Sequence, residues 1–185
     1  GIQAAFLALR IAGYDGSVLM PRNCHVSAIQ ALVLSGLCAK FVKPRFSRKW
    51  GIPLPPLRSE MEAALRNEGL PVFVTRPDYF GLCIDISHLC QIAHELNLPV
   101  LVDEAHGAHL GWHKGLPLPA LGQGADLAVQ SPHKLLGSLT GSSWLHLKST
   151  LLGRDAVKDG LSLVTSTSPS HILLASLDGA RRQIA

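Results

Sequence analysis

The sequence predicts an α/β fold of three layers, with helices covering both faces of a mostly parallel central sheet. Two observations point there. Short apolar runs of strand length alternate with longer stretches of helical periodicity. Several of the short runs are apolar at every position rather than every second one, as expected of strands covered on both faces. Glycine and proline mark the joins. No repeat, low-complexity tract or linker divides the 185 residues, so one domain spanning 1–185 is expected.

In chain order, "IQAAFLALRIA" (2–12) predicts a first helix and "SVLM" (17–20) a first strand. "HVSAIQALVLSG" (25–36) then reads as helix, "AKFV" (39–42) as strand and "LRSEMEAALRNEG" (57–69) as helix. "PVFVT" (71–75) is the third strand. "DISHLCQIAHEL" (85–96) sets Ile86, Leu89, Ile92, Ala93 and Leu96 on one helical face, with Asp85 as a capping candidate. "PVLVD" (99–103), "ADLAVQ" (125–130) and "SWLHL" (143–147) complete the strands, and "SHILLASLDGARRQIA" (170–185) is a last helix. Gly1 opens within an apolar, helix-like segment and Ala185 closes another, so the chain reads as a piece of a longer one, incomplete at both ends.

Composition narrows the classes. With 47% hydrophobic and 16% charged residues the chain can bury a sizeable core. No apolar run approaches the roughly 18 residues that span a bilayer, and no signal-peptide pattern opens the chain, so no membrane association is expected. Cys24, Cys38, Cys83 and Cys90 form no C-x-x-C pair, which suits reduced thiols in the cytoplasm. Net charge is +4, and the densest basic stretch, "KPRFSRK" (43–49), is read as a solvated loop rather than a nucleic-acid site, because no recognition motif accompanies it.

In a parallel sheet ligands bind beyond the carboxyl ends of the strands. That rule selects Pro21 to His25, Arg76 to Gly81, Asp103 to His106 and Ser131 to Lys134. The third group belongs to "LVDEAHGAHLGWH" (101–113), which has three readings. As a helicase-type DEAH box it lacks the phosphate cradle G-x-x-x-x-G-K-[ST] that this chemistry needs, since Gly nowhere precedes Lys. As a metal site it offers His106, His109 and His113, but Gly107 and Gly111 interrupt them, so no regular helix turns all three to one point, and no metal is expected. The third reading starts from "SPHK", which brings Lys134 to the sheet edge that carries Asp103. A lysine behind an apolar strand loses hydration and becomes nucleophilic toward an aldehyde. An acid on a neighbouring strand end is the counter-ion a protonated pyridine needs, and the pair suggests pyridoxal phosphate.

The blocks "NCHVSAIQALVLSG", "PDYFGLCID", "LVDEAHGAHLGWH", "GADLAVQSPHK", "LTGSSWLHL" and "STSPSHILLASLDGARRQ" resemble the major domain of the bacterial and plant-type ornithine/lysine/arginine decarboxylases, which are fold-type I pyridoxal-phosphate enzymes. The resemblance runs from Gly1 to Ala185 in the family's order. It implies that Lys134 forms a Schiff base with the cofactor and that Asp103 keeps the pyridine nitrogen protonated. It implies His25 against one ring face, Ala105 on the other, and His106 near the phenolic oxygen. Ser131 and His133 would contact the phosphate, with His133 also assisting proton movement at the substrate carbon. Tyr79 is balanced between packing and lining the site, while His88, His94, His146 and His171 read as structural. The implied partners are a basic amino acid substrate and a second copy of the chain in a homodimer.

The chain departs from the family at several positions. Pro132 stands where Thr is usual, Gly141 where Gln is usual, and Arg76, Pro77 and Asp78 replace Ser-Pro-Thr. Pro132 removes a backbone N–H beside the phosphate, and Asp78 would add negative charge to the site, so weakened cofactor affinity is expected. Other fold-type I activities, aldol cleavage or transamination, and a non-catalytic regulatory relative are the alternatives to decarboxylation.

Overall fold

A computed structural model describes residues 1–185. Its strands are β1 (Ser17–Pro21), β2 (Cys38–Val42), β3 (Arg45–Ser47), β4 (Ile52–Leu54), β5 (Val72–Thr75), β6 (Val100–Asp103), β7 (Leu127–Gln130) and β8 (Trp144–Leu147). Six form one sheet in the order β2-β1-β5-β6-β7-β8, with β8 alone antiparallel to its neighbour. The helices are α1 (Ile2–Ile11), α2 (Val26–Ser35), α3 (Arg58–Glu68), α4 (Ser87–Glu95), α5 (Pro132–Leu135), α6 (Arg154–Ser162) and α7 (His171–Ile184). None is long and apolar enough to cross a membrane.

Successive side chains leave a strand on opposite faces, so a strand that is apolar throughout feeds two cores. Val18, Met20, Phe73, Leu101, Leu127 and Val129 enter the core beneath α1, α2 and α6. Leu19, Val72, Val74, Val100, Val102 and Ala128 enter the core beneath α3 and α4. The expected three layers follow from this division. On the first face α1 buries Ala4, Ala5, Phe6, Ala8 and Leu9, and the Phe6 ring meets Phe73 edge-on at 5.1 Å. Helix α6 approaches α1 so closely that a Cβ on Gly160 would lie 2.6 Å from the Ala4 carbonyl oxygen and 2.9 Å from the Ala8 nitrogen, which only glycine avoids.

The six expected sheet strands and five expected helices all form, within a residue or two at their ends. The capping candidate Asp85 lies one residue before the N-cap, Ile86, and its Oδ1 accepts the Ser87 N–H at 2.9 Å. Five elements lie outside the expectation. The basic stretch read as a loop folds into a hairpin of β3 and β4, paired in the register Arg45 to Leu54. It leaves Phe46 and Trp50 exposed, with Lys49 over the Trp50 ring at 5.0 Å. The others are α5, α6 and a 3₁₀ turn at Ala120–Gln123. Helix α6 carries a mid-helix glycine and four charged residues in "RDAVKDGLS", so helix propensity does not announce it.

At the amino edge of the sheet a buried carboxylate ties three elements together. Asp126 Oδ2 accepts the Val100 N–H at 2.8 Å and lies 2.9 Å from His94 Nε2, while Oδ1 accepts the Ser149 hydroxyl at 2.5 Å. Ser149 Oγ in turn accepts the N–H groups of Leu151 and Leu152. Asp126→Ala strands the buried Val100 N–H and frees Ser149, so a loss of about 2–4 kcal/mol is expected. Thermal unfolding of the full-length protein should show a Tm lower by about 5–10 °C. A fall of under about 2 °C would mean that water replaces those bonds.

Candidate active site

The alternation that builds the two cores also sorts the polar residues at the strand ends. Thr75 and Asp103 are register partners on β5 and β6, and both continue the face of Phe73 and Leu101 toward α1 and α2. Ser131 follows Leu127 and Val129 on the same face. One residue further along, Arg76, Glu104 and Gln130 fall on the other side of the sheet. The first set lines a cavity of about 670 Å³ at the carboxyl edge, together with Asn23, Cys24, His25, Asp78, Tyr79, Ala105, His106 and Lys134. The second set is a buried anchor beneath it.

Asp103 is 2% exposed, and its Oδ1 accepts the Ala105 N–H at 3.1 Å. Burial pushes its carboxyl above the usual carboxylate range, partly offset by the Ala105 hydrogen bond and by the charges of Lys134, His25 and His106. Lys134 sits on the one-turn helix α5, where Pro132 takes the first helical position; an N–H there would have had no intrahelical acceptor. Its Nζ lies 3.1 Å from His106 Nε2. Burial, with the neighbouring Lys134 charge, holds the His106 imidazole below its ordinary value, so the neutral ring accepts from the ammonium. The lysine is exposed at the cavity rather than shielded behind β7, because α5 turns the chain outward after Gln130. His25 is the N-cap of α2, with Nδ1 accepting the Ser27 N–H at 3.2 Å while the ring borders the cavity. Capping and lining are thus one arrangement. Cys24 is half-buried beside it, and burial pushes its thiol up.

His133 does not line the cavity: its Nδ1 donates to the Ser142 carbonyl at 2.9 Å. Tyr79 is 80% exposed at the rim, with its ring 6.0 Å from that of His106. The three histidines of the metal reading diverge. His106 faces Lys134, His109 lines a neighbouring cavity, and the exposed His113 accepts the Gly115 N–H. The histidines read as structural bond to framework groups: His88 to Glu62, His94 to Asp126 and His146 to Gln130; His171 starts α7.

Beneath the cavity floor, Glu104 is 1% exposed and saturated. Oε1 accepts the Ala120 N–H at 2.7 Å and pairs with Arg76 NH1 at 3.3 Å, and Oε2 accepts from Gln130 Nε2 at 2.8 Å. Arg76, itself 0% exposed, also donates through Nε to the Ile84 carbonyl. A Cβ on Gly107 would lie 2.4 Å from Glu104 Cγ, so glycine is required above this anchor. Arg76 therefore does structural work where the resemblance leads one to expect Ser, and it fixes the ends of β5, β6 and β7 relative to one another.

A second cavity of about 300 Å³ adjoins the first through Ser27, Ala105 and Ser131. It is lined also by Ser143 and by Gly1, Ile2 and Gln3 at the N-terminus of α1. The hydroxyls of Ser27, Ser131 and Ser143 border it as hydrogen-bond donors. Three buried polar atoms have no partner around the main cavity: Asn23 Oδ1, Thr75 Oγ1 and Asp78 Oδ2. Such groups are costly unless a ligand satisfies them.

Residues 4–185 match the family described as Orn/Lys/Arg decarboxylase, major domain. The chain belongs to that family. Similarity to individual decarboxylases is of the same kind. An arginine decarboxylase of Bacillus subtilis (strain 168) is 40% identical over 181 residues, which are 97% of this chain and 37% of that protein. The lysine decarboxylase LdcA of Pseudomonas aeruginosa is 24% identical over 193 residues, covering 92% of this chain and 26% of LdcA. The chain thus spans little more than a third of the length of the curated relatives it matches. Among solved structures, a Clostridium difficile 630 protein described as an aminotransferase with PLP bound superposes with a TM-score of 0.72 at 12% identity, over 99% of this chain and 49% of that one. At that identity the likeness shows the fold, the large domain of the fold-type I enzymes. Of the residues that the decarboxylase resemblance assigns to the site, the cavity gathers His25, Asp103, Ala105, His106, Ser131 and Lys134 and leaves out His133. Asn23 and Cys24 lie within the selected stretch Pro21 to His25 but carry no assigned role, and sequence reasoning missed Thr75; the period-2 alternation that faces Asp103 into the cavity signals Thr75, its register partner.

Proposed function

We propose that residues 1–185 form the pyridoxal-phosphate-binding part of an enzyme that removes the α-carboxyl group of a basic amino acid. The observation that carries this reading is the convergence of Lys134, buried Asp103 and His25 on one cavity, in a chain of the decarboxylase family. The residues present suit the cofactor. Asp103, buried and held above the usual carboxylate range, gains most from a cationic N–H, which the pyridine nitrogen of the cofactor supplies. The hydroxyls of Ser27, Ser131 and Ser143 offer donors for its phosphate. Bound there, pyridoxal phosphate supplies an electron sink for the bond to the departing carboxylate.

The chain's own groups have separable tasks. The Lys134 amine would hold the cofactor at its aldehyde until a substrate amine takes its place. His106 Nε2, 3.1 Å from Nζ, takes up and returns the proton that this exchange requires. Ala105 and the His25 ring, which both line the cavity, would hold the pyridine ring between them and exclude water. His133, turned to Ser142, keeps the α5 turn in place from outside the cavity.

Arginine is the first substrate to test, since the 40% identical relative is an arginine decarboxylase, with lysine and ornithine beside it. The full-length protein with added cofactor should release carbon dioxide from at least one of the three and form the corresponding amine. Conversion to a keto acid without carbon dioxide would assign transamination instead, and no turnover of any would favour a non-catalytic relative. The free cysteines support a cytoplasmic setting, and exposed Val26, Val33 and Leu34 on α2 support a homodimer.

A further inference from the structure

The main cavity opens past Asp78, Tyr79 and His106 into a side cavity of about 390 Å³. Its walls include Leu110, Leu116, Pro117 and Leu135, apolar surfaces suited to a methylene stem. Two polar atoms there are buried without a partner, Asp78 Oδ2 and His109 Nδ1. Asp78 is 7% exposed. Its Oδ1 is engaged, accepting the N–H groups of Phe80 and Leu82 at 2.9 Å each, and its sequence neighbour Arg76 is committed to Glu104 and the Ile84 carbonyl. The carboxylate is therefore a buried negative group with one oxygen in want of a donor, beside an apolar slot that leads away from the reacting amine. Buried charge of this kind is retained where a partner of opposite sign completes it.

We propose that this side cavity takes the side chain of the substrate and that Asp78 reads its distal cation, with the His109 ring as a second hydrogen-bonding group. The proposal rests on the reading of the site as one for basic amino acids and gives that reading its specificity residue. A guanidinium brings five N–H donors in a planar fork to such acceptors, whereas an ammonium carries three donors on one nitrogen. The departure from the family's Thr thus adds a charge that opposes an anionic cofactor but attracts a cationic substrate. Asp78 borders both cavities, so from the side cavity it can do the second.

The test uses the full-length protein and Asp78→Asn, which keeps an oxygen for the Phe80 and Leu82 amides and removes the charge. With cofactor, KM for the preferred basic amino acid should rise about 10- to 100-fold, the scale of a lost charged hydrogen bond, with kcat held within about threefold. In the cofactor-free protein, calorimetry should show arginine preferred over its uncharged isostere citrulline, and the variant should lose that preference by a similar factor. Lysine and ornithine titrated in turn rank ammonium against guanidinium. Leu116→Trp, which fills the slot without touching Asp78, should weaken arginine and citrulline alike. Unchanged KM and affinity in Asp78→Asn would overturn the proposal, and so would equal weakening of arginine and citrulline or loss of cofactor binding alone. Wild-type protein that prefers arginine over citrulline but releases no carbon dioxide would remove the decarboxylase reading and leave the cation pocket standing.

Discussion

Lys134→Ala in the full-length enzyme is expected to lower carbon dioxide release by roughly 10⁴-fold or more, the scale of deleting a covalent nucleophile. Lys134 is the single lysine that lines the main cavity, so no neighbouring amine is placed to substitute for it. The fold should be indifferent. The side chain is exposed, and the backbone N–H of residue 134 bonds to the Ser131 carbonyl whatever the side chain. Substitutions at such positions stay within about 0.5 kcal/mol, so Tm without cofactor should move by no more than about 2 °C. Borohydride reduction in the presence of pyridoxal phosphate, followed by peptide mapping, should label residue 134 in the wild type and nothing in the variant. A label at another lysine, or activity within tenfold of wild type, would place the reacting amine elsewhere. His106 sharpens the experiment: with its Nε2 no longer opposite an ammonium, its imidazole should titrate higher in the variant, because the Lys134 charge is one of the causes that hold it down.

The layers and the site's location were legible in the sequence because both depend on short-range pattern. Strands apolar on both faces demand helices on both sides, and a strand that ends in Asp103 must deliver that carboxylate to the carboxyl edge. The side each residue takes there was legible in principle, since Thr75, Asp103 and Ser131 share a parity opposite to that of Arg76, Glu104 and Gln130. What was not legible depends on long-range contact. The Arg76–Glu104 pair joins residues 28 apart, and nothing local marks either as buried. Helix α6 exists through its fit against α1, where a glycine that weakens helix propensity is what permits the approach. The antiparallel sense of β8 and the hairpin within the basic stretch depend on pairing partners that composition does not name. His133 depends on local geometry that the sequence does not display: it neighbours Lys134, yet it bonds to the Ser142 carbonyl and does not line the cavity, because a helix sends neighbouring side chains in different directions.

Asp103→Asn should move activity and stability in opposite directions. The amide keeps an acceptor for the Ala105 N–H but cannot hold a proton on a pyridine nitrogen as a carboxylate does, so kcat should fall by about 10²- to 10³-fold, as for one pre-organised electrostatic group. Stability follows from the sign of the pKa shift. Burial raises the folded-state pKa above the ordinary 3.8, so the folded protein holds the proton more tightly than the unfolded chain does. The charged form is the one that burial penalises. That penalty is fully present at pH 7, shrinks as pH falls through the raised folded value, and is gone below about 3.8. Without cofactor, the Asn variant should therefore unfold at a higher temperature than wild type at pH 7, and the difference should close toward acid pH. Adding pyridoxal phosphate should reverse the order, because the wild-type carboxylate then gains a cationic donor and the amide does not; ligand that binds only the folded state raises Tm in proportion to that affinity. Thermal scans of both proteins at two pH values, each with and without cofactor, decide the matter. A variant less stable than wild type at pH 7 without cofactor would mean that the attraction of Lys134, His25 and His106 outweighs desolvation. An equal cofactor-induced shift in both proteins would mean that Asp103 does not face the pyridine nitrogen.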